Sequence, residues 1–198
     1  MPRIVDIDKK REEIAKKSVD LVLKKGFANI TVSQVASHAN IAKGSIYNYF
    51  NSKEDIIYEI IKSEYKDYDK EVEEEIKKAS TIKEKVLALF KLCISKDKRD
   101  KERRKLYREF VSICLNQPEC EMVDFKKSIK VKYIKWLKNI LKSGEESGVL
   151  KKDSEKFSQG LFVMAEGVIL LSNYNSQILT SFIDELFKYI EIKNEEEI

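Results

Sequence analysis

Lys43, Tyr47, Asn48, Tyr49 and Lys53 lie within eleven residues of one another and bring together ammonium, phenol and amide groups. This set donates hydrogen bonds; it contains no nucleophile beside a base, no carboxylate pair and no metal-ligand spacing. A lysine ammonium can donate to O6 and N7 of guanine. An ammonium next to the free amides of a helix's first turn, where Lys53 falls, suits a phosphate. Lys43, Gly44 and Ser45 stand at the start of a short helix, and none is bulky at the backbone. Such an end suits insertion into a major groove. Ser33, Gln34 and Asn48 are polar and should face such a groove or its wall.

Two helices are needed to hold these groups. Thr31 and Gln34 have the spacing of a capping box, in which the hydroxyl accepts from the amide three residues on and the Gln side chain reaches back. A helix therefore starts at Thr31. Val35, Ala36 and Ala39 share its apolar face, with the small Ala36 where another helix must approach closely, and Ile41 and Ile46 supply facing contacts. Asn40 tolerates the left-handed conformation that ends a helix, and a second helix then runs from about Ala42 to Phe50. The pair reads as a helix-turn-helix, which points to DNA.

The segment TVSQVASHANIAKGSIYNYFNSK resembles the amino-terminal domain of the tetracycline-repressor (TetR) family. The resemblance extends upstream through Arg11, Ile14 and the Gly26-Phe27 pair, and covers about residues 9 to 57. Its main departure is Asn40, where the family usually has glycine. The resemblance implies that Lys43 reaches base edges and that Tyr47 and Tyr49 hold phosphates, contacts that position a protein without reading sequence. The DNA-contacting set expected on this basis is Thr31, Ser33, Gln34, Ala42, Lys43, Gly44, Ser45, Tyr47, Asn48, Tyr49 and Lys53. His38, the chain's only histidine, faces away from the apolar stripe and reads as a surface residue.

The charge distribution supports the same division. The net charge is +4, yet residues 1–53 carry ten basic against five acidic side chains, and residues 54–75 carry three against ten. A basic head with an acidic shaft behind it favours one orientation on a polyanion, although charge runs on long helices also serve simply as solvated faces. Only 2 Pro and 6 Gly interrupt the 198 residues, so the expected fold is all-α. A three-helix helix-turn-helix domain, residues 1–53, precedes a helical ligand-binding and dimerisation domain, residues 54–198. No apolar run is long enough to span a bilayer, and the first residues lack an apolar signal core, so a cytoplasmic protein without membrane contact is expected. Cys93, Cys114 and Cys120 show neither paired spacing nor histidine partners, so no disulfide framework, metal or cofactor is expected. Core thiols are the primary reading and a redox sensor the secondary one.

Hydrophobic periodicity and caps place further helices. The first runs from about Asp8 to Lys25, closed by Gly26, and a fourth runs from Ser52 to about Lys78. Thr81 and Glu84 open a fifth carrying Phe90 and Cys93. The run Lys96 to Lys105 reads as a loop and the first turn of a sixth helix that ends before Pro118. A seventh extends from about Glu119 to Gly144 and Gly148, an eighth from Asp153 to about Tyr174, and a ninth from about Thr180 to Ile192.

The eighth helix is apolar nearly all round, so it is either central or covered by another chain. The family resemblance implies the second, a homodimer built on the last two helices, with Phe162, Val163, Leu170, Leu171, Phe182 and Leu186 in the interface. It also implies a small-molecule inducer within the carboxy-terminal domain. Candidate lining residues are Phe90, Cys93, Tyr107, Phe110, Cys114, Phe125, Tyr133, Trp136, Phe162, Met164 and Glu166, most of which also suit an ordinary core. Glu166, flanked by apolar neighbours, needs a partner: a basic side chain, a water or a cationic ligand.

A single histidine, no Gly-rich phosphate loop and no paired acid and base exclude an enzyme. The sequence reads as a ligand-responsive regulator, a repressor that leaves a palindromic double-stranded DNA operator when its inducer binds. Two alternatives are a non-inducible DNA-binding protein, such as a nucleoid or division-site factor, and a helical protein-interaction module.

Overall fold

The computed structural model describes residues 6–117, 121–171 and 177–192. Ten α-helices are present among them: α1 (Ile7–Lys25), α2 (Val32–Ala39), α3 (Lys43–Ile46), α4 (Lys53–Lys78), α5 (Ile82–Leu89), α6 (Lys91–Ile94), α7 (Lys98–Asn116), α8 (Glu121–Glu146), α9 (Ser158–Leu170) and α10 (Gln177–Ile190). Among the described residues no helix is long and apolar enough to cross a membrane. Packing groups the chain into two compact units, Met1–Glu71 with Lys105–Glu109, and Val72–Arg104 with Phe110–Ile198. The first unit thus takes in α4 as far as Glu71, well past the division at residue 53 expected from sequence, because Ile56, Ile57, Ile60 and Ile61 are all buried.

In the first unit, Asp6 caps α1 by accepting from the Lys9 amide at 3.2 Å. Burial of Ile14, Ala15, Ser18, Leu21 and Val22 confirms the expected stripe. The Thr31–Gln34 capping box is formed in both directions, with bonds of 3.1 and 3.3 Å. Asn40 adopts φ 57° and ψ 45°, the left-handed turn that its side chain tolerates. Lys17 of α1 brings its ammonium to 3.5 Å from the Ala39 carbonyl at the end of α2. Ser52 caps α4 through the Asp55 amide at 3.1 Å, and the Asp55 carboxylate accepts from the Asn51 amide at 3.0 Å.

The helix expected over Ala42–Phe50 is shorter in the structure. Only Lys43–Ile46 is α-helical, and tighter turns follow, with the amides of Asn48 and Tyr49 bonded three residues back to Ser45 and Ile46. Ala42 has no side-chain acceptor with which to cap the segment, and one α-turn without a cap is a poor nucleus. Ile46 and Phe50, both buried, fix it instead.

In the second unit, the Thr81–Glu84 capping box forms as expected, and Glu84 accepts from the Ser80 and Thr81 amides at 2.8 and 3.0 Å. These amides hold its carboxyl below the usual range. The expected fifth helix breaks at Phe90, with φ −97° and ψ 18°, and resumes as α6. The segment Lys98–Lys105 is helical rather than mainly loop. Two arginines account for this: Arg103 pairs with Asp100 at 3.1 Å, both buried, and Arg104 donates to the Leu92 and Ser95 carbonyls at 2.6 and 2.9 Å, closing the end of α6.

Leu137 and Leu141 of α8 are fully buried in the core of this unit, which α5 and α9 also border. Gly144 lets Leu150 approach, since a Cβ there would lie 2.7 Å from its side chain. The eighth predicted helix begins later than expected. Asp153 is left-handed, at φ 70°, and a 3-10 turn over Ser154–Phe157 precedes α9. The described part of α9 ends at Leu170; the expected extension to Tyr174 lies outside the described residues, as does Cys120. The last helix starts at Gln177, three residues before the expected Thr180.

Both α9 and α10 carry exposed apolar residues. Val163 on α9 and Leu171 at its C-terminal cap are 60% and 55% exposed, and Phe182 on α10 is 41% exposed. Phe162 and Leu186 are buried within the chain and Leu170 is half-buried. Gly160 and Gly167, on the same face as Val163 and Leu171, have nothing among the described residues within 4 Å of a Cβ position.

Candidate nucleic-acid interface

The first unit sets α2 and α3 side by side around buried Val35, Ala36, Ala39 and Ile46. Their outward edge carries the residues expected to contact DNA. Thr31, Ser33, Ala42, Lys43, Gly44, Tyr47 and Asn48 are exposed, and Gln34, Ser45, Tyr49 and Lys53 are half-buried. No hydrogen bond or ion pair to another side chain engages the Lys43 ammonium or the Tyr47 hydroxyl among the described residues, and the Tyr47 side chain stands 55% exposed. Among the described residues nothing lies within 4 Å of the Gly44 Cβ position, which leaves room there for close approach by another molecule. Thr31 and Gln34 are committed to each other in the capping box, so their first task is to start α2. The Lys53 ammonium lies 3.5 Å from the Ala28 carbonyl. His38 is exposed, with Nδ1 3.0 Å from the Gln34 carbonyl.

Arg11, placed by sequence only within the family resemblance, ties together the elements that carry the site. Its guanidinium donates to the Tyr49 carbonyl at 3.2 Å, lies 3.6 Å from the Glu59 carboxylate and stacks over the Phe50 ring at 4.8 Å. One planar group thus joins α1, the turn after α3 and α4, and it satisfies a carbonyl that the short α3 leaves open. The signal was available: Arg11 precedes Ile14 by three residues and Ser18 by seven, so it lies on the buried stripe of α1. On the surface nearby, Lys66 and Lys16 flank Glu12 at 2.9 and 3.2 Å and hold its carboxyl below the usual range. Such exposed pairs contribute little to stability.

Most of the ligand-lining candidates are packed among themselves. In the second unit Phe90, Cys93, Phe110, Cys114, Tyr133 and Phe162 are buried, whereas Phe125, Trp136, Met164 and Glu166 are half-buried. Phe110 meets Phe125 at 6.2 Å between ring centroids, and Tyr133 meets Trp136 at 5.4 Å. Tyr107 is buried and groups with the first unit. Trp136, with Ile76, Lys77 and Ile140, borders a cleft of about 310 Å³. Another cleft, of about 520 Å³, lies along Lys78, Glu84, Leu87 and Lys91. Glu166 pairs with Lys126 of α8 at 2.8 Å, so a basic side chain of the protein meets the carboxylate.

Burial pushes the Cys93 thiol up to about 12, and its Sγ donates to the Ala165 carbonyl at 3.6 Å. A thiol so held is a poor nucleophile. Iodoacetamide at pH 8 should therefore leave Cys93 unmodified in the folded protein and alkylate it in denaturant, as read by peptide mass mapping. Rapid native alkylation of Cys93 would revive the redox-sensor reading.

A capped scaffold helix, a tight turn and a short outward helix with free donors define a DNA-binding protein of the helix-turn-helix class. The sequence profile of the family described as "Bacterial regulatory proteins, tetR family" matches residues 14–60. The fatty acid metabolism regulator protein of Bacillus subtilis (strain 168) is 29% identical over 140 residues, 71% of this chain and 70% of that protein. Crystal structures of a TetR-family transcriptional regulator from Cytophaga hutchinsonii and of a putative transcriptional regulator from Saccharomonospora viridis, the latter in complex with choline, share the fold. Their TM-scores are 0.77 and 0.73 at 18% and 17% identity, covering 97% and 94% of this chain and all of theirs. Residues 14–60 thus match the amino-terminal domain of the tetR family of bacterial regulatory proteins, and the chain as a whole is similar in fold to transcriptional regulators of that family.

Proposed function

We propose that this regulator is a cytoplasmic homodimeric repressor that occupies a palindromic operator and releases it when an apolar or amphipathic small molecule binds its carboxy-terminal domain. The observation that carries the DNA half is the free Lys43 ammonium at the exposed amino end of α3, flanked by Gly44 and followed by the exposed Tyr47. Lys43 reads base edges, Tyr47 and Tyr49 hold phosphates, and Ser33 and Asn48 face the groove. One short helix reads few base pairs, so a twofold pair of heads addressing two half-sites is the natural solution. The exposed Val163, Leu171 and Phe182 supply an apolar surface for that pairing.

The ligand reading draws support from the relatives. The Bacillus protein is named for fatty acid metabolism, and the Saccharomonospora structure holds choline. Since Glu166 already meets Lys126, an amphipathic acyl compound is favoured over a cation. Linkage requires that an inducer bind more weakly when operator is present and raise the melting midpoint of free protein. Titration of long-chain fatty acids and their thioesters against an operator selected from genomic fragments provides the test. Failure of these compounds to shift either melting or operator affinity would overturn the acyl reading.

Two substitutions separate reading from positioning. Lys43→Ala should relax sequence preference and cost about 1–3 kcal/mol at the operator. Lys53→Ala should weaken binding to all sequences and reduce the dependence of affinity on salt. Fluorescence anisotropy with operator and scrambled duplexes, each at several salt concentrations, distinguishes the two; parental behaviour in both variants would dismiss this interface.

A further inference from the structure

Gly26 does more than end α1. Its φ of 78° is open to glycine, and its amide closes the helix on the Val22 carbonyl at 2.7 Å. The space a side chain would take is already filled: a Cβ built there would collide with the Glu109 carboxylate. The other oxygen of that carboxylate accepts the next amide, Phe27 N–H, at 2.5 Å. Glu109 is 82 positions away in sequence, in the Lys105–Glu109 stretch of α7 that packs with the first unit.

A carboxylate beside the carboxy end of a helix is electrostatically misplaced, because the macrodipole there favours cations. Lys24 and Lys25 in the last turn of α1 follow that rule. Glu109 departs from it, and it satisfies the Phe27 amide in a part-buried bond. The bond falls where direction matters. Phe27 and Ile30 are buried, and α2 starts immediately after Thr31, so the turn from Gly26 to Thr31 sets the angle between α1 and the helix pair that carries Lys43. Within the same turn the Ala28 carbonyl faces the Lys53 ammonium at 3.5 Å. The turn is thus gripped from α7 at an amide and from α4 at a carbonyl.

We infer that Glu109 is a positioning residue for DNA reading: its carboxylate, seated against Gly26 and bonded to the Phe27 amide, fixes the orientation of α2 and α3 without touching DNA. The inference rests on the DNA-binding reading above. The test uses the full-length protein, an operator duplex and three variants. Glu109→Ala removes the acceptor, Glu109→Asp withdraws it by one methylene, and Glu109→Gln keeps an acceptor oxygen in place. Glu109→Ala and Glu109→Asp should each weaken operator binding about tenfold while leaving the salt dependence at the parental slope, since no phosphate contact is lost. Glu109→Gln should stay within about twofold of the parent. Amide hydrogen exchange should accelerate selectively at Phe27 in the alanine and aspartate variants.

If Glu109→Ala does not fold, Glu109→Asp carries the comparison alone. Parental affinity in Glu109→Asp, or a glutamine variant as weak as aspartate, overturns the inference, as does a loss of affinity accompanied by uniform acceleration of exchange throughout α1 and α2. A parent that binds no duplex at all would overturn the DNA reading instead, and that outcome is read before any variant is compared.

Discussion

Replacing Phe182 by aspartate should halve the native mass while leaving helix content unchanged. Phe182 is 41% exposed on α10, so a carboxylate there can reach solvent in the isolated chain. In an isologous interface the substitution enters twice, and each buried unpaired carboxylate costs several kcal/mol. Operator affinity should fall with the mass, because a monomer presents one reading head. Light scattering at micromolar concentration together with circular dichroism gives the result. Leu186→Asp is the contrasting variant: Leu186 is only 8% exposed, and an acid there should disrupt the chain itself. A parent that is already monomeric, or a Phe182→Asp protein that keeps the parental mass, would remove α10 from the assembly.

The second large effect belongs to Phe50. The ring is 2% exposed, follows the turns after α3 and lies beneath the Arg11 guanidinium at 4.8 Å. Phe50→Ala should cost about 3–5 kcal/mol through lost burial and the cavity left behind, with a further contribution of about 0.5–1 kcal/mol from the cation over the ring. Because the chain forms two compact units, the loss should fall on the first. Denaturant unfolding followed by hydrogen exchange should show α1 to α3 opening early, while Leu137 and Leu141 in α8 retain parental protection. Uniform loss of protection would mean that the units unfold as one.

What the sequence disclosed was what short-range chemistry controls. The capping boxes at Thr31–Gln34 and Thr81–Glu84 and the left-handed Asn40 depend on groups three or four residues apart, and all three are present. The apolar stripe of α1 was legible for the same reason. Arg11 and Glu109 were not, since their partners lie 38 and 82 positions away. The start of α7 was misread because a dense charge run resembles a solvated loop. Burial of the Asp100–Arg103 pair and the capping role of Arg104 make it helix instead. Of the interface side chains named from sequence, Val163, Leu171 and Phe182 are exposed, while Phe162 and Leu186 are buried within the chain itself. A nearly all-apolar helix hides that division, since pattern alone gives no phase.

The two glycines of α9 bring a cost that no contact among the described residues offsets. A helical glycine is less favourable than alanine by about 1 kcal/mol, and among the described residues neither Gly160 nor Gly167 has a neighbour that would require so small a residue. In the proposed dimer a second backbone can come close at both points. In that dimer the helix would be better set than in the isolated chain, so its order would depend on how many copies are present. At low abundance α9 should fray and the unpaired chain become vulnerable to proteases, whereas above the dimer dissociation constant it persists. If the proposed dimer forms, the amount of this protein that persists would depend in part on its own concentration.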